Sequence, residues 1–344
     1  MPDQDLSVGL LGYGLAGSVF HAPLIATTPG MRLVAVVTGN PQRQEQVRGD
    51  HPGALVLGRA EELWERAGEL DLAVVATPNR THVPLALAAL EAGLPVVVDK
   101  PLAPSAAEGR RLVGEAARRG LLLTTFHNRR WDGDFLTLRR LLAGDELGRV
   151  HRFESRFERW RPAVKAVWKE SGAPEEAGGL LFDLGSHLID QALVLFGPVA
   201  AVHAELDRRR GGAQVDDDTF VALTHASGVH SHLWMSLVTA QQGPRLRVLG
   251  DRAAYVKYGL DVQEEALRAG ARPGGPDWGR EPQERWGQIG IDGALRAVPT
   301  DPGDYPRFYR GVAAALRAGG PPPVDPQDSV AVLEIIEMAR RAIH

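Results

Sequence analysis

A chain of 344 residues, 44% apolar and 24% charged, has the composition of a folded, water-soluble protein of roughly two domains, which excludes disordered, fibrous and single-module readings. With 39 basic and 43 acidic residues the net charge is −4, so nothing favours a nucleic-acid partner. Cysteine is absent, which removes disulfides, thiolate nucleophiles, iron–sulfur clusters and cysteine-ligated zinc; no run reaches the roughly 18 apolar residues of a membrane span, and the start of the chain has no basic leader, so a cytoplasmic protein without membrane partners is expected.

In chain order, the first 126 residues alternate short apolar runs with longer amphipathic ones. Strands are predicted over Leu6–Leu11, Arg32–Thr38, Leu72–Ala76, Pro95–Val98 and Leu121–Phe126, with helices near Leu15–Thr27, Glu61–Ala67, Pro84–Ala92 and Ala106–Arg119. That alternation is the pattern of a doubly wound parallel sheet, a dinucleotide-binding domain over 1–126. A helix over Asp134–Leu142 lies near the start of residues 127–344, which read as a second, α+β domain. There Val150–Trp160, Ala200–Arg208, Thr219–Ala226, Val229–Leu237, Arg245–Gly250 and Arg252–Tyr258 read as a mostly antiparallel sheet, with turns at Ser227-Gly228 and Gly250-Asp251. One strong helix, Leu181–Leu195, interrupts the strands. Residues 270–303 read as an irregular loop, and helices over Tyr305–Ala318 and Ser329–Ile343 close the chain.

The strongest local signal is Gly12-Tyr13-Gly14-Leu15-Ala16-Gly17, placed between a strand and a helix. Gly12 permits the tight turn, Gly14 lets backbone approach a pyrophosphate, Gly17 lets helix and strand pack, and the helix N-terminus offers N–H groups to the anion. The six residues are therefore assigned to a dinucleotide. After the second strand the sequence reads Thr38-Gly39-Asn40-Pro41-Gln42-Arg43, with no acid before Glu45. A carboxylate there would bind the ribose of NAD; Thr38, Asn40 and Arg43 instead favour the 2′-phosphate of NADP, with NAD as the alternative.

Two further segments carry chemistry. Val96-Val97-Val98-Asp99-Lys100-Pro101 is an apolar strand ending in a charged pair. The strand end faces the ligand crevice, and the proline keeps Lys100 extended, towards the nicotinamide. The chain has lysine only at 100, 165, 169 and 257, so each is worth a specific explanation. In Gly178–Asp190, Asp183 and His187 are spaced i, i+4 on an otherwise apolar helix with Asp190 three residues on, a pattern expensive to bury without purpose. His187 is the candidate proton acceptor and Asp183 its orienting or substrate-binding neighbour, although a buried hydrogen-bonded network would use the same residues.

Together these segments resemble the glucose–fructose oxidoreductase, inositol dehydrogenase and rhizopine catabolism (Gfo/Idh/MocA) family. The likeness rests on Gly12–Gly17, Ala76-Thr77-Pro78-Asn79 with Thr81-His82, Asp99-Lys100-Pro101 and Gly179–Asp190, in that order, and covers nearly the whole chain. It implies a Rossmann domain followed by an open-faced sheet domain, and a reaction carried by Lys100, Asp183 and His187. It adds Thr77, Pro78, Asn79, His82 and Asp99 to the cofactor side. Asp99 departs from the family, which more often has glutamate. Gly12–Leu24 and Phe126–Asp134 look like the branch that includes an NADP-dependent scyllo-inositol dehydrogenase. The resemblance thus implies hydride transfer between nicotinamide and a secondary alcohol or ketone of a sugar, inositol or polyol. Two other uses of the scaffold are a non-catalytic NADP-binding sensor and a reductase of an imine or diketone-type substrate.

Asn128, Trp131, Arg156 and Trp168 are candidates for a sugar pocket. His225, His230 and His232 flank a hairpin without a carboxylate at ligand spacing, so no metal is assigned. The open sheet face needs a cover, which in this family is commonly a second subunit; a homodimer or higher homo-oligomer is expected.

Overall fold

The computed structural model describes residues 4–164, 170 and 172–342. The chain divides into two compact units: one drawn from Met1–Asn128, Glu264–Pro276 and Tyr305–Val330, the other from Arg129–Gln263, Asp277–Asp304 and Ala331–His344.

The first unit holds a parallel sheet of β1 (Leu6–Leu11), β2 (Met31–Val37), β3 (Leu55–Leu57), β4 (Leu72–Val75), β5 (Val96–Asp99) and β6 (Leu123–Phe126), in the order β3-β2-β1-β4-β5-β6. Its strands are continuous apolar runs because helices cover both faces; Leu72 to Val75 are all buried. The helices are α1 (Ala22–Thr27), α2 (Pro41–Asp50), α3 (Ala60–Trp64), α4 (His82–Glu91) and α5 (Ala106–Arg119). In α5 the Ser105 side chain accepts from the Glu108 N–H, a cap worth about 1 kcal/mol, and the helix buries Leu112, Val113 and Ala116. The order of strands reverses between β1 and β4, so their C-terminal ends flank the crevice where such sheets bind ligands. Neither α2 nor β3 is foreseen by apolar periodicity: α2 buries only Val47, and β3 has three residues.

The second unit begins with α6 (Gly133–Ala143) and builds a sheet from β7 (Val150–Glu158), β8 (Val199–Asp207), β9 (Asp218–His225), β10 (His230–Ser236), β11 (Leu246–Gly250), β12 (Ala254–Lys257), β13 (Gly287–Ile291) and β14 (Ala294–Val298). The order is β14-β13-β12-β11-β7-β10-β9-β8, antiparallel except for the central β7–β10 pair. Strict alternation sorts its faces: Ser231, Leu233 and Met235 of β10 are buried, while His230, His232 and Trp234 point to the open side. The hairpin of β13 and β14 corrects the expectation of an irregular loop over 270–303; their glycines and charged residues hide the strand pattern.

α7 (Ser186–Phe196) is entered through a widened π turn over Leu181–Gly185 and packs on the covered sheet face, with Met235 against Gly185. The helical run Pro174–Phe196 has the length and apolar character of a membrane span, but 72% of that window is buried, as in a core helix. The remaining helices are α8 (Gln263–Arg268), α9 (Pro306–Ala318) and α10 (Pro326–Arg341).

Candidate active site

In the first unit, β1 runs into a turn made possible by missing side chains. Gly12 has φ +95°, and a Cβ there would lie 2.5 Å from the Ala76 carbonyl oxygen; at Gly17 it would overlap the Gly12 carbonyl. The turn is closed by the Gly12 N–H donating to Val37 O (2.9 Å), and the following π turn, Ala16–His21, by the Ser18 N–H donating to Gly14 O (2.8 Å). A Cβ on Gly14 would stand 3.7 Å from an Arg43 guanidinium nitrogen, so a cation lies over the loop. Bare backbone, a helix start and an overhanging arginine fit the diphosphate of a dinucleotide. Leu15 adds an exposed apolar side chain at its crest.

The side chains around this cradle divide in a way the sequence does not announce. Tyr13 turns inward: its ring is buried and its hydroxyl donates to Asp50 (2.9 Å), while burial, and then Asp50, push its pKa up. Only its backbone faces the cradle. The Asn40 side chain is occupied as the cap of α2, accepting from the Arg43 N–H (3.0 Å). Thr38 is buried, its carbonyl held by Gln44 (2.8 Å). Arg43 is thus the residue of this trio whose side-chain charge reaches the loop.

At the ends of β4 and β5 the same sorting occurs. Thr81 bonds the Thr77 hydroxyl and the Pro78 carbonyl, each at 2.7 Å, and Asn79 is buried. His82 is fully buried, with ring nitrogens 2.8 Å from Pro101 O and 2.9 Å from Thr77 O. Burial pushes its pKa down against the pull of Asp99; the neutral ring donates to one of the two carbonyls and clips the strand ends together. Asp99 accepts from the Lys100 backbone N–H (2.9 Å) and faces the buried His21 at 3.8 Å. His82 thus directs both ring nitrogens, and Asp99 its Oδ1, to groups inside this unit. Lys100 is half-buried at the end of β5.

In the second unit the Asp183–His187 helix is a side-chain site. Asp183 lies in the π turn and is half-buried; His187 is buried one turn on, so the pair spans the change from π to α winding rather than lying on a regular helix face. Asp190, also buried, is gripped by both arms of Arg130, at 2.9 and 2.6 Å. Gln191 donates to Arg129 O (2.8 Å) and accepts from Arg245 (2.9 Å), whose Nε lies 3.4 Å from buried Asp134. Arg130 and Arg245 were not among the sequence candidates. The signal for Arg130 was its place in the Phe126–Asp134 motif; nothing local marks Arg245.

Beside this network, burial raises Asp132 well above the usual carboxylate range and Asp261 to about 6. Asp261 ties the Gly133 and Gln263 N–H groups at 2.7 and 2.8 Å.

Of the proposed sugar-pocket residues, Asn128 and Trp131 are buried, and the Trp131 carbonyl accepts from Gln263 (3.1 Å). Arg156 stacks 4.0 Å over Trp234 and donates to Glu154 (3.0 Å), on the open sheet face, opposite the side that Met235 turns to the helix. Trp168, Lys165 and Lys169 lie outside the described residues. Lys257 is buried and paired with Glu281 (3.2 Å), a structural role. His225 is a core histidine, bonded to Gly197 O and Ser231 at 2.8 Å each, away from His230 and His232.

Known proteins match both units. Residues 6–127 fit the family model described as "Oxidoreductase family, NAD-binding Rossmann fold", and residues 139–344 fit "Oxidoreductase family, C-terminal alpha/beta domain". The chain is 42% identical over 345 residues to the uncharacterized oxidoreductase YdgJ of Escherichia coli (97% of this chain, 95% of the relative). It is 36% identical over 340 residues to the scyllo-inositol 2-dehydrogenase (NADP(+)) IolW of Bacillus subtilis (98% and 93%). A solved structure of the Bacillus subtilis yvaA protein superposes with a TM-score of 0.93 at 36% identity, covering 98% of this chain and 96% of that one. With both units matched in order and relatives aligned over nearly their full length, this chain belongs to the Gfo/Idh/MocA oxidoreductase family and carries its NAD(P)-binding Rossmann domain.

Proposed function

We propose that the protein is an NADP-dependent dehydrogenase of a secondary alcohol, or reductase of the matching ketone, on a sugar, inositol or related polyol. The carrying observation is the glycine turn with the Arg43 guanidinium over it and no carboxylate between Thr38 and Glu45. The backbone of Gly12–Gly17 and the start of α2 would hold the dinucleotide, with Arg43 on its 2′-phosphate. When bound, the nicotinamide supplies the site that accepts or returns hydride.

The residues of the chain supply the rest. His187 takes the proton from the reacting hydroxyl. The Lys100 ammonium balances the negative charge growing on that oxygen. Asp183 orients the substrate, and Asn128 and Trp131 line the sugar pocket. Support for a polyol comes from the likeness to IolW, whose name carries both that substrate class and NADP. We assign residues 1–126 to cofactor binding and 127–344 to substrate binding and oligomerisation. Phe220, His232 and Trp234 on the open sheet face meet a second copy. The enzyme works in the cytoplasm.

The test is the initial rate of NADP⁺ and NAD⁺ reduction with a panel of inositols, aldoses and polyols, with Lys100→Ala as control. A rate that disappears in the control and favours NADP⁺ is expected. Tight NADPH binding without any rate on alcohols, ketones or imines would overturn the assignment in favour of a sensor.

A further inference from the structure

Lys100 stands at the end of a buried chain of polar groups that the reaction outlined above does not use. The Tyr309 hydroxyl lies 2.6 Å from His21 Nδ1, and His21 Nε2 faces Asp99 Oδ1 at 3.8 Å. That same Asp99 oxygen accepts the Lys100 backbone N–H at 2.9 Å. Tyr309 and His21 are fully buried, with the Phe126 ring 4.4 Å from the imidazole and Phe308 packed on Phe126. Burying such a trio is costly, and His21 Nε2, which has no hydrogen-bond partner among the described residues, meets Asp99 only through the longer charge contact.

The direction of the chain follows from its ends. Burial, then the Asp99 charge, raises the Tyr309 pKa well above its ordinary value, so the phenol keeps its proton and donates it to Nδ1. The imidazole proton is then on Nε2, aimed at Asp99. Burial pushes the Asp99 carboxyl up, but the His21 imidazole beside it, with Lys100 and His82, outweighs burial and holds the group below its usual range. The titratable groups facing Asp99 are therefore His21, Lys100, His82 and, beyond His21, Tyr309.

We propose that Tyr309 and His21 are positioning residues: they take up part of the Asp99 charge, hold it against the Lys100 backbone, and so set how firmly Lys100 keeps its proton. The inference rests on the reading of Lys100 as the group at the substrate oxygen. Without the Nε2–H, the full carboxylate charge acts on the ammonium.

Lysine occurs at four positions, so reductive ¹³C-methylation gives a short NMR spectrum in which the Lys100 signal is assigned by its loss in Lys100→Arg. The titration is read on the ligand-free protein, independently of any substrate. In His21→Phe the Lys100 midpoint should rise by about half a pH unit or more, in Tyr309→Phe by less, and in His21→Gln, which restores an N–H near Nε2, it should return towards wild type. With substrate, kcat of His21→Phe should fall about tenfold while KM for NADP⁺ stays within about twofold. A midpoint that stays in place in folded His21→Phe and Tyr309→Phe overturns the proposal, and so does a loss of kcat without that movement. A midpoint that moves in a protein inactive on every polyol upholds the relay and refutes only the dehydrogenase reading.

Discussion

The glycine turn of the first unit and the Leu181–Phe196 helix of the second both open on a widened π turn, yet they build their sites by opposite means. The turn works by having no side chains: Gly12 and Gly17 bring backbone against backbone, leaving N–H groups for an anion. The helix works by burying charged side chains and satisfying them from distant segments, with Asp190 on Arg130 and Gln191 between Arg129 and Arg245. A backbone site is intolerant of one added methyl group. A side-chain site is intolerant of one lost partner, because the remaining charge is stranded in the interior.

The contrast breaks most visibly at the reacting end. His187→Ala should lower kcat by about 100- to 1,000-fold while NADPH affinity by fluorescence titration stays within about twofold, since a proton acceptor acts on the chemical step. Equal losses in both would move His187 from the chemistry to the scaffold. Next in size, Arg130→Met strands the Asp190 carboxylate and should cost about 3 kcal/mol of stability in denaturant unfolding. An unchanged midpoint would mean that the grip does not hold the helix.

Gly17→Ala probes the backbone site. Its methyl group meets the Gly12 carbonyl, so dinucleotide affinity should fall about tenfold or more, and calorimetric titration reads the loss. The smallest effect concerns Asp261, whose pKa is raised from 3.8 to about 6 by burial. A carboxyl raised in the folded state contributes stability that is full below about pH 4 and is lost as pH rises through 6. Asp261→Asn cannot ionise, so between pH 4 and 7 it should gain on wild type by about 1–2 kcal/mol. Parallel stability curves across that range would exclude Asp261 as the titrating group.

Most of the fold was legible because its signals are short-range. Apolar runs marked five of the six strands of the parallel sheet, and alternation marked six of the eight in the second sheet. The rest failed where the local signal was weak: α2 has almost no buried face, β3 is three residues long, and the β13–β14 hairpin exposes most of its second strand. Of the site, residue types were legible but orientations were not. Tyr13, Asn40, His82 and Asp99 sit in motifs that suggest ligand contact, and the Tyr13 hydroxyl, Asn40 Oδ1, both His82 ring nitrogens and Asp99 Oδ1 take partners within the protein. Arg156 lies on a strand, where a shift of one residue exchanges the two faces of the sheet.

The sequence by itself determined the alternation of strand and helix, the glycine turn, the absence of an acid after β2 and the family, because backbone sterics and periodicity act within a few residues. Only the tertiary structure decided which partner each buried polar group takes. Asp190 finds Arg130 from 60 positions away, and His21 finds Tyr309 across 288. Those choices depend on which segments the packing of apolar faces brings together, and on the cost of leaving any charge in that packing unmatched.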